Sequence, residues 1–284
     1  MILAETEYVR PDTLADAVAA LASNERARAL AGGQTLLNVL KHRASAVDLL
    51  VDISRLEELR GIEAGGDGSL EIGAGVTYAE LESSDAVRGS HPVVSEVAAG
   101  TVDRQVRNRG TIGGNACFAD PASNYPPLLV ALGATMNIAG PGGDRALAAE
   151  DFFTGAWRTA LEQGELLRSV RLPGLSGAGT GYRSLQLAQD SWALARAAAY
   201  VRSNGTVEDI RVVLGCVAGT PVRAGAMEEK LRGQQPSADA VREAAQAAGE
   251  GLEPPSDVHA SGSYRRDMAC VMAGRAVLAA TGGS

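Results

Sequence analysis

Two short segments carry the residue types that a backbone anion cradle needs. They are Ala31-Gly-Gly-Gln-Thr-Leu36 and Thr111-Ile-Gly-Gly-Asn115. Glycine reaches positive φ without penalty, and a backbone with no Cβ lets a ligand approach closely. Successive N–H groups in such a turn converge on an anion, helped by the N-terminus of a following helix. Gln34, Thr35, Thr111 and Asn115 add side-chain hydrogen-bonding groups. Each segment alone is equally well described as a tight turn. As a pair they can enclose a pyrophosphate from two sides without a lysine or a metal. Neither matches GxGxxG or Gly-Lys-Ser/Thr, so neither a Rossmann NAD site nor a Walker P-loop is indicated.

Other chemistry-bearing residues are sparse. Cys117, Cys216 and Cys270 are far apart and show no CxxC spacing, which excludes a zinc or iron–sulfur site built from this chain. His42, His91 and His259 are isolated and read as surface or internally satisfied histidines. Arg104, Arg107 and Arg109 cluster just ahead of the second glycine segment. They either bring positive charge towards it, face a partner, or line a solvated loop. Asp190 reads as a turn cap or an orienting group with no catalytic role.

The elements around the segments are legible from periodicity and punctuation. A helix is expected from Pro11, then a short apolar strand Arg28–Ala31 running straight into Gly32-Gly33. Helical spacing resumes over Leu36–Leu40, and Val47–Ile53 is a buried strand. The glycine-rich stretch Gly61–Gly68 marks a hairpin or boundary. Leu70–Gly75 is a strand leading to a helix capped by Thr77, and Pro92–Ala99 is a further helix. Gly100–Pro127 shows no clean period and reads as a long functional loop. Leu128–Leu132 is helical, and Thr135–Ala139 and Leu166–Leu172 are strands. A small-residue linker, Gly174–Gly181, separates these from a second unit with a helix at Ala238–Ala248 and a long amphipathic helix at Tyr264–Ala280. The mixture without strict βαβ alternation gives the α+β class.

Bulk properties bound the function. At 284 residues, two or three modest subdomains are expected. A net charge of −8 opposes nucleic-acid binding, and 45% hydrophobic content with only 4% aromatics implies an aliphatic core. The opening residues lack a basic and then apolar leader pattern, and no apolar run approaches the roughly 18 residues needed to span a bilayer. The expectation is a soluble, cytoplasmic protein.

The two glycine segments, with Ala119-Asp-Pro-Ala-Ser123 behind the second, resemble the FAD-binding medium subunits of the molybdenum hydroxylases. That family includes xanthine dehydrogenase and aerobic carbon monoxide dehydrogenase. The likeness continues through Phe152-Phe-Thr-Gly155, Gly164–Pro173 and Ser263-Tyr-Arg-Arg266, and so covers essentially the whole chain. It implies a PCMH-type, vanillyl-alcohol-oxidase-like FAD domain over 1–175, with subdomains of about 1–56 and 57–175. A C-terminal α+β domain follows over 180–282.

The resemblance assigns FAD contacts to Ala31, Gly32, Gly33, Gln34, Thr35 and Leu36, and to Thr111, Ile112, Gly113, Gly114 and Asn115. It adds Ser123 and Asn124 from the polar loop, Leu167 lining the flavin, Arg183 near the cofactor and Trp192 beside the ring. Asn124 departs from the aspartate usual there. Trp192 reads equally well as core, and Cys117 either as a small buried residue or as a covalent flavin anchor. The implied role is electron transfer from [2Fe–2S] clusters on a small subunit, through FAD, to an external acceptor. The molybdenum cofactor would sit on a large molybdopterin subunit of a heterotrimer that can dimerise. No residue of this chain is expected to be catalytic. The rival reading is a free-standing FAD-dependent oxidase or dehydrogenase, for which no catalytic base is identifiable.

Overall fold

The computed structural model describes residues 4–101, 103–188 and 191–282. Gln189 and Asp190, and with them the capping role considered for Asp190, lie outside the described residues. The N-terminal subdomain is built from β1 (Glu7–Val9), α1 (Leu14–Ala22), β2 (Ala27–Leu30), α2 (Leu36–Lys41) and β3 (Leu49–Asp52). Its sheet is parallel, in the order β1-β3-β2. The first helix starts later than its proline suggests. Thr13 is the N-cap, its hydroxyl accepting from the Asp16 N–H, so Pro11 and Asp12 lie outside the helix. Ala17, Val18 and Leu21 of α1 pack with Leu49 and Val51 of β3.

The next subdomain comprises β4 (Ile62–Ala64), β5 (Leu70–Gly73), α3 (Tyr78–Ser83), α4 (Asp85–Ser90), α5 (Pro92–Ala99), α6 (Arg104–Arg107), α7 (Ile112–Phe118), α8 (Tyr125–Leu132), β6 (Thr135–Ala139), β7 (Arg145–Ala148), α9 (Ala149–Phe152), β8 (Phe153–Gly155), β9 (Arg158–Thr159) and β10 (Leu166–Leu172). The antiparallel sheet β4-β5-β10-β6-β7 supports it, and β8 pairs with β9 in a small hairpin. Thr77 caps α3 as the sequence predicts, in a reciprocal capping box with Glu80. The stretch expected as one irregular loop instead contains α6, α7 and the start of α8. Helix α8 is apolar all round, and every one of its residues is buried.

That burial is completed by the C-terminal domain, formed by β11 (Gly179–Gln186), β12 (Ala193–Asn204), β13 (Thr206–Gly215), β14 (Val222–Arg223), α10 (Gly225–Leu231), α11 (Ala238–Ala245) and α12 (Gly262–Ala280). Its antiparallel sheet follows the order β11-β12-β13-β14. The alanine-rich β12 is buried on both faces from Ala193 to Val201. Ala195, Ala197 and Ala199 pack into the core shared with α12, whereas Ala198 joins the core that contains α8. Small side chains let a helix lie close on each side of the sheet, which locks the two domains together. Among the described residues, no helix is long and apolar enough to cross a membrane.

Candidate functional site

The first glycine segment lies between the end of β2 and the start of α2. Gly33 adopts φ +72°, a left-handed turn that reverses the chain out of the strand. Among the described residues, the backbone N–H groups of Gly32, Gly33, Gln34 and Thr35 have no protein acceptor. Thr35 is the N-cap of α2, yet its hydroxyl makes no capping bond and remains available. The segment is partly open to solvent throughout. Four successive free donors plus a hydroxyl form an anion cradle of the kind its residue types suggested.

The second segment is built differently, and the picture of two equivalent cradles is corrected here. Thr111 is the N-cap of α7, its side chain accepting from the Gly114 N–H at 3.0 Å. Ile112 N–H donates to the Val76 carbonyl, Gly113 N–H to Ala74 and Asn115 N–H to Thr111, each at 3.0 Å. Four of this segment's five backbone N–H groups, all but that of Thr111, are therefore spent inside the protein. They dock it along residues 74–78, where Thr77 and Thr111 form an antiparallel bridge. What remains is the Thr111 N–H, which has no protein acceptor among the described residues, the exposed Gly114 backbone, and the Asn115 Oδ1, which is buried with no hydrogen-bond partner. A buried unpaired carbonyl is costly unless a ligand or water supplies the donor.

The two segments touch directly. A Cβ on Gly32 would fall 1.8 Å from the Arg109 carbonyl oxygen, so only glycine permits the contact. Of the nearby arginines, Arg107 pairs with Glu82 at 3.0 Å, and Arg104 and Arg109 are exposed.

The remaining residues singled out from the sequence are placed as follows. Ser123 is buried, its N–H donating to the Asp120 carbonyl at 2.8 Å. The Asn124 amide is turned into the domain interface. Its Nδ2 donates to Thr101 Oγ1 at 3.0 Å, and its Oδ1 accepts from Tyr182 and Arg196. Leu167 is 2% exposed within the core, with its backbone against the Cys117 thiol. Arg183 lies beside Glu96 at 3.6 Å and also donates to the Tyr182 carbonyl. Thus Asn124, Leu167 and Arg183 are engaged within the protein. Trp192 is 65% exposed where β12 begins, so the core reading of this residue does not hold.

Two groups escaped the sequence reading. Tyr78, at the first turn of α3, stacks on Tyr125 with ring centroids 5.5 Å apart. Its backbone N–H holds the start of the second segment by donating to the Gly110 carbonyl at 3.0 Å. Arg196 is almost completely buried and donates to the Tyr182 hydroxyl at 2.8 Å. The one signal for Tyr78 is Gly110, directly before Thr111: a glycine there requires a close neighbour, and the neighbour is that ring.

The free donors of the first segment, the close glycine contact and the unpartnered Asn115 carbonyl fit FAD, which offers a pyrophosphate and several hydroxyl donors. Comparison with known proteins agrees. Residues 4–175 match the family described as the FAD binding domain in molybdopterin dehydrogenase. Residues 180–280 match the carbon monoxide dehydrogenase flavoprotein C-terminal domain. The chain is 38% identical to the carbon monoxide dehydrogenase medium chain of Hydrogenophaga pseudoflava, covering 99% of this chain and 98% of the relative. It is 36% identical to the glyceraldehyde dehydrogenase medium chain of Sulfolobus acidocaldarius, covering 94% and 95%. The solved carbon monoxide dehydrogenase of Hydrogenophaga pseudoflava that lacks the molybdenum-pyranopterin moiety superposes with a TM-score of 0.95. There, 99% of each chain is covered at 38% identity.

Proposed function

The chain belongs to the FAD-binding medium subunits of the molybdenum hydroxylases, and from that premise we propose that it is the electron-transfer flavoprotein of a multi-subunit dehydrogenase. The observation that carries this reading is the run of free N–H groups from Gly32 to Thr35, closed on one side by the second glycine segment. FAD, when bound, supplies the redox chemistry, accepting electrons and releasing them to an external acceptor. The residues of this chain bind and orient it. Ala31–Leu36 hold the pyrophosphate through backbone donors and Thr35, while Thr111, Gly114 and Asn115 wall the other side. The exposed Trp192 is an apolar surface suited to covering the isoalloxazine. Asn124, Leu167 and Arg183 shape the site from behind.

The partners in this reading are a small subunit with [2Fe–2S] clusters and a large molybdopterin subunit. The dispersed Cys117, Cys216 and Cys270 support that division of labour, since this chain cannot ligate a cluster. The cytoplasm is the compartment that suits three free thiols. The reading is tested by expressing the full chain with its candidate partners, isolating the complex, and measuring flavin, iron and molybdenum. Bound FAD on this chain beside iron and molybdenum on the partners is the expected result. A chain that takes up no FAD alone or in complex would overturn it, and substrate turnover by the isolated chain would favour a free-standing oxidase.

A further inference from the structure

The Ser263-Tyr-Arg-Arg266 stretch, at the start of α12, holds a buried charge that binding the cofactor leaves without a task. The Arg265 side chain is 8% exposed. Its Nη2 donates to Asp257 Oδ2 at 2.6 Å, and its Nη1 to the Leu194 carbonyl at 3.1 Å. Asp257 is itself held. Its Oδ1 accepts from the backbone N–H groups of His259 and Ala260, at 2.9 and 3.0 Å, which closes the turn ahead of α12. The guanidinium is thus seated against a fixed carboxylate and reaches from there to the first residues of β12. Enclosing a cation is unfavourable even when it is paired, and an apolar side chain of similar volume would fill the space between helix and sheet more favourably. The place of the backbone acceptor accounts for an arginine here.

Leu194 is the extra residue of a β-bulge. The register of β11 with β12 steps from Leu185↔Ala195 to Gln186↔Ala193, so β12 advances two residues where β11 advances one. The extra residue of a bulge drops out of the ladder, and the bulge re-aims the side chains beside it. One added residue also exchanges the two faces for everything beyond it. Beyond it lies the hairpin end, where Trp192 stands 65% exposed. The direction in which Trp192 points is therefore set at Leu194, and Arg265 grips Leu194 by its carbonyl. We propose that Arg265 is a positioning residue for the flavin site: anchored on Asp257, it fixes the bulge at Leu194 and so turns Trp192 towards the isoalloxazine. This deepens the FAD reading and rests on it.

Trp157 is the only other tryptophan of the chain, so a Trp157→Phe background makes Trp192 the sole indole emitter. In that full-length chain, FAD titration is followed by Trp192 fluorescence and by the visible circular dichroism of the bound flavin. Far-UV circular dichroism verifies the fold. An indole lying on an isoalloxazine is quenched, so FAD should remove most of the Trp192 emission. Arg265→Met keeps the volume and removes the donors. It should bind FAD within about threefold of the background affinity, because the glycine segments are untouched. Most of the quenching should nevertheless be lost, and the flavin dichroism should change. Arg265→Lys should restore part of both, since an ammonium can still donate to the Leu194 carbonyl. Asp257→Asn, at a half-exposed position, should fall between wild type and methionine. It decides alone if the methionine variant does not fold, full quenching there counting against the inference. In a Trp192→Ala chain, Arg265→Met should leave the flavin dichroism unmoved, because its effect passes through Trp192. Full quenching in Arg265→Met, or a dichroism change that persists without Trp192, would overturn the inference and leave the FAD reading standing. FAD binding that never quenches Trp192 does the same. A chain that binds no FAD overturns both.

Discussion

The α-carbon of Gly32 rests against the carbonyl of Arg109, so close that a Cβ would stand 1.8 Å from the oxygen and 2.5 Å from the carbon. Residues 77 positions apart therefore meet backbone to backbone. This contact sets a free-donor turn and a capped helix start side by side. It also assigns the adjacent glycines different duties. Gly32 is needed for approach, and Gly33 for its φ of +72°.

Gly32→Ala should consequently be worse for the cofactor than for the fold. The methyl must push the Arg109 carbonyl away, and that carbonyl belongs to backbone that cannot rotate aside. Forcing a methyl into packed backbone typically costs about 1–3 kcal/mol. We expect a folded protein with a lowered Tm and FAD occupancy reduced at least tenfold, read by flavin absorbance per chain after gel filtration. Full occupancy in this variant would mean that the two segments separate without consequence.

Arg196 sits where the two domains share a core, bonded to Asn124 and Tyr182 without a carboxylate in ion-pair range among the described residues. A buried cation without a paired anion carries a desolvation cost that a hydrophobe of similar volume avoids. Arg196→Ala empties the site and should cost about 2–5 kcal/mol, as large-to-small core changes do. Arg196→Met fills it and should cost no more than half as much. Urea denaturation of both variants decides the matter, and equal losses would show that the hydrogen bonds, rather than the volume, hold the interface.

How much of this was legible beforehand follows from the range of each interaction. The first cradle was readable because strand, glycine pair and helix are contiguous. Helix α7 was not. Gly113 and Gly114 each lower helix propensity by about 1 kcal/mol, and the helix exists because Thr111 caps it and residues 74–78 take its first N–H groups. The polar loop was recognised, yet the direction of Asn124 depends on Tyr182 and Arg196, 58 and 72 residues away. Trp192 was undecided between the core and a place beside the flavin ring because its neighbours alternate too weakly to assign a face. The short elements β7, β8, β9 and α10 have no periodicity of their own and form only by packing on longer ones.

His91 gives the protein a pH-dependent stability. It is fully buried, and Nε2 donates to the Pro173 carbonyl at 2.9 Å, tying the start of α5 to the end of β10. Burial lowers its pKa below the ordinary 6.5, and the Pro173 hydrogen bond only partly opposes this. The unfolded chain therefore binds a proton at a higher pH than the folded one. Stability is complete above about pH 6.5 and falls as pH drops from there towards the folded pKa. The urea midpoint of wild type should decline between pH 7.5 and 5, and His91→Gln should flatten that part of the profile. An unchanged slope in the variant would assign it to other groups.

Cys117 bears on how the flavin is attached. It lies two residues beyond Asn115, near enough in sequence to suggest a thioether link. Covalent addition needs a thiolate. Burial pushes this thiol up to about 12, with the Leu167 backbone offsetting a part of the rise. The nucleophile is thus essentially absent at neutral pH, and the side chain serves as a small apolar filler beside β10. Acid precipitation of the purified complex should release all of its FAD into the supernatant, and denaturing gels should show no fluorescent band for this chain. Cys117→Ala should retain the wild-type flavin content with at most a modest loss of stability. A fluorescent band that disappears in Cys117→Ala would reverse the conclusion and make the thiol an anchor.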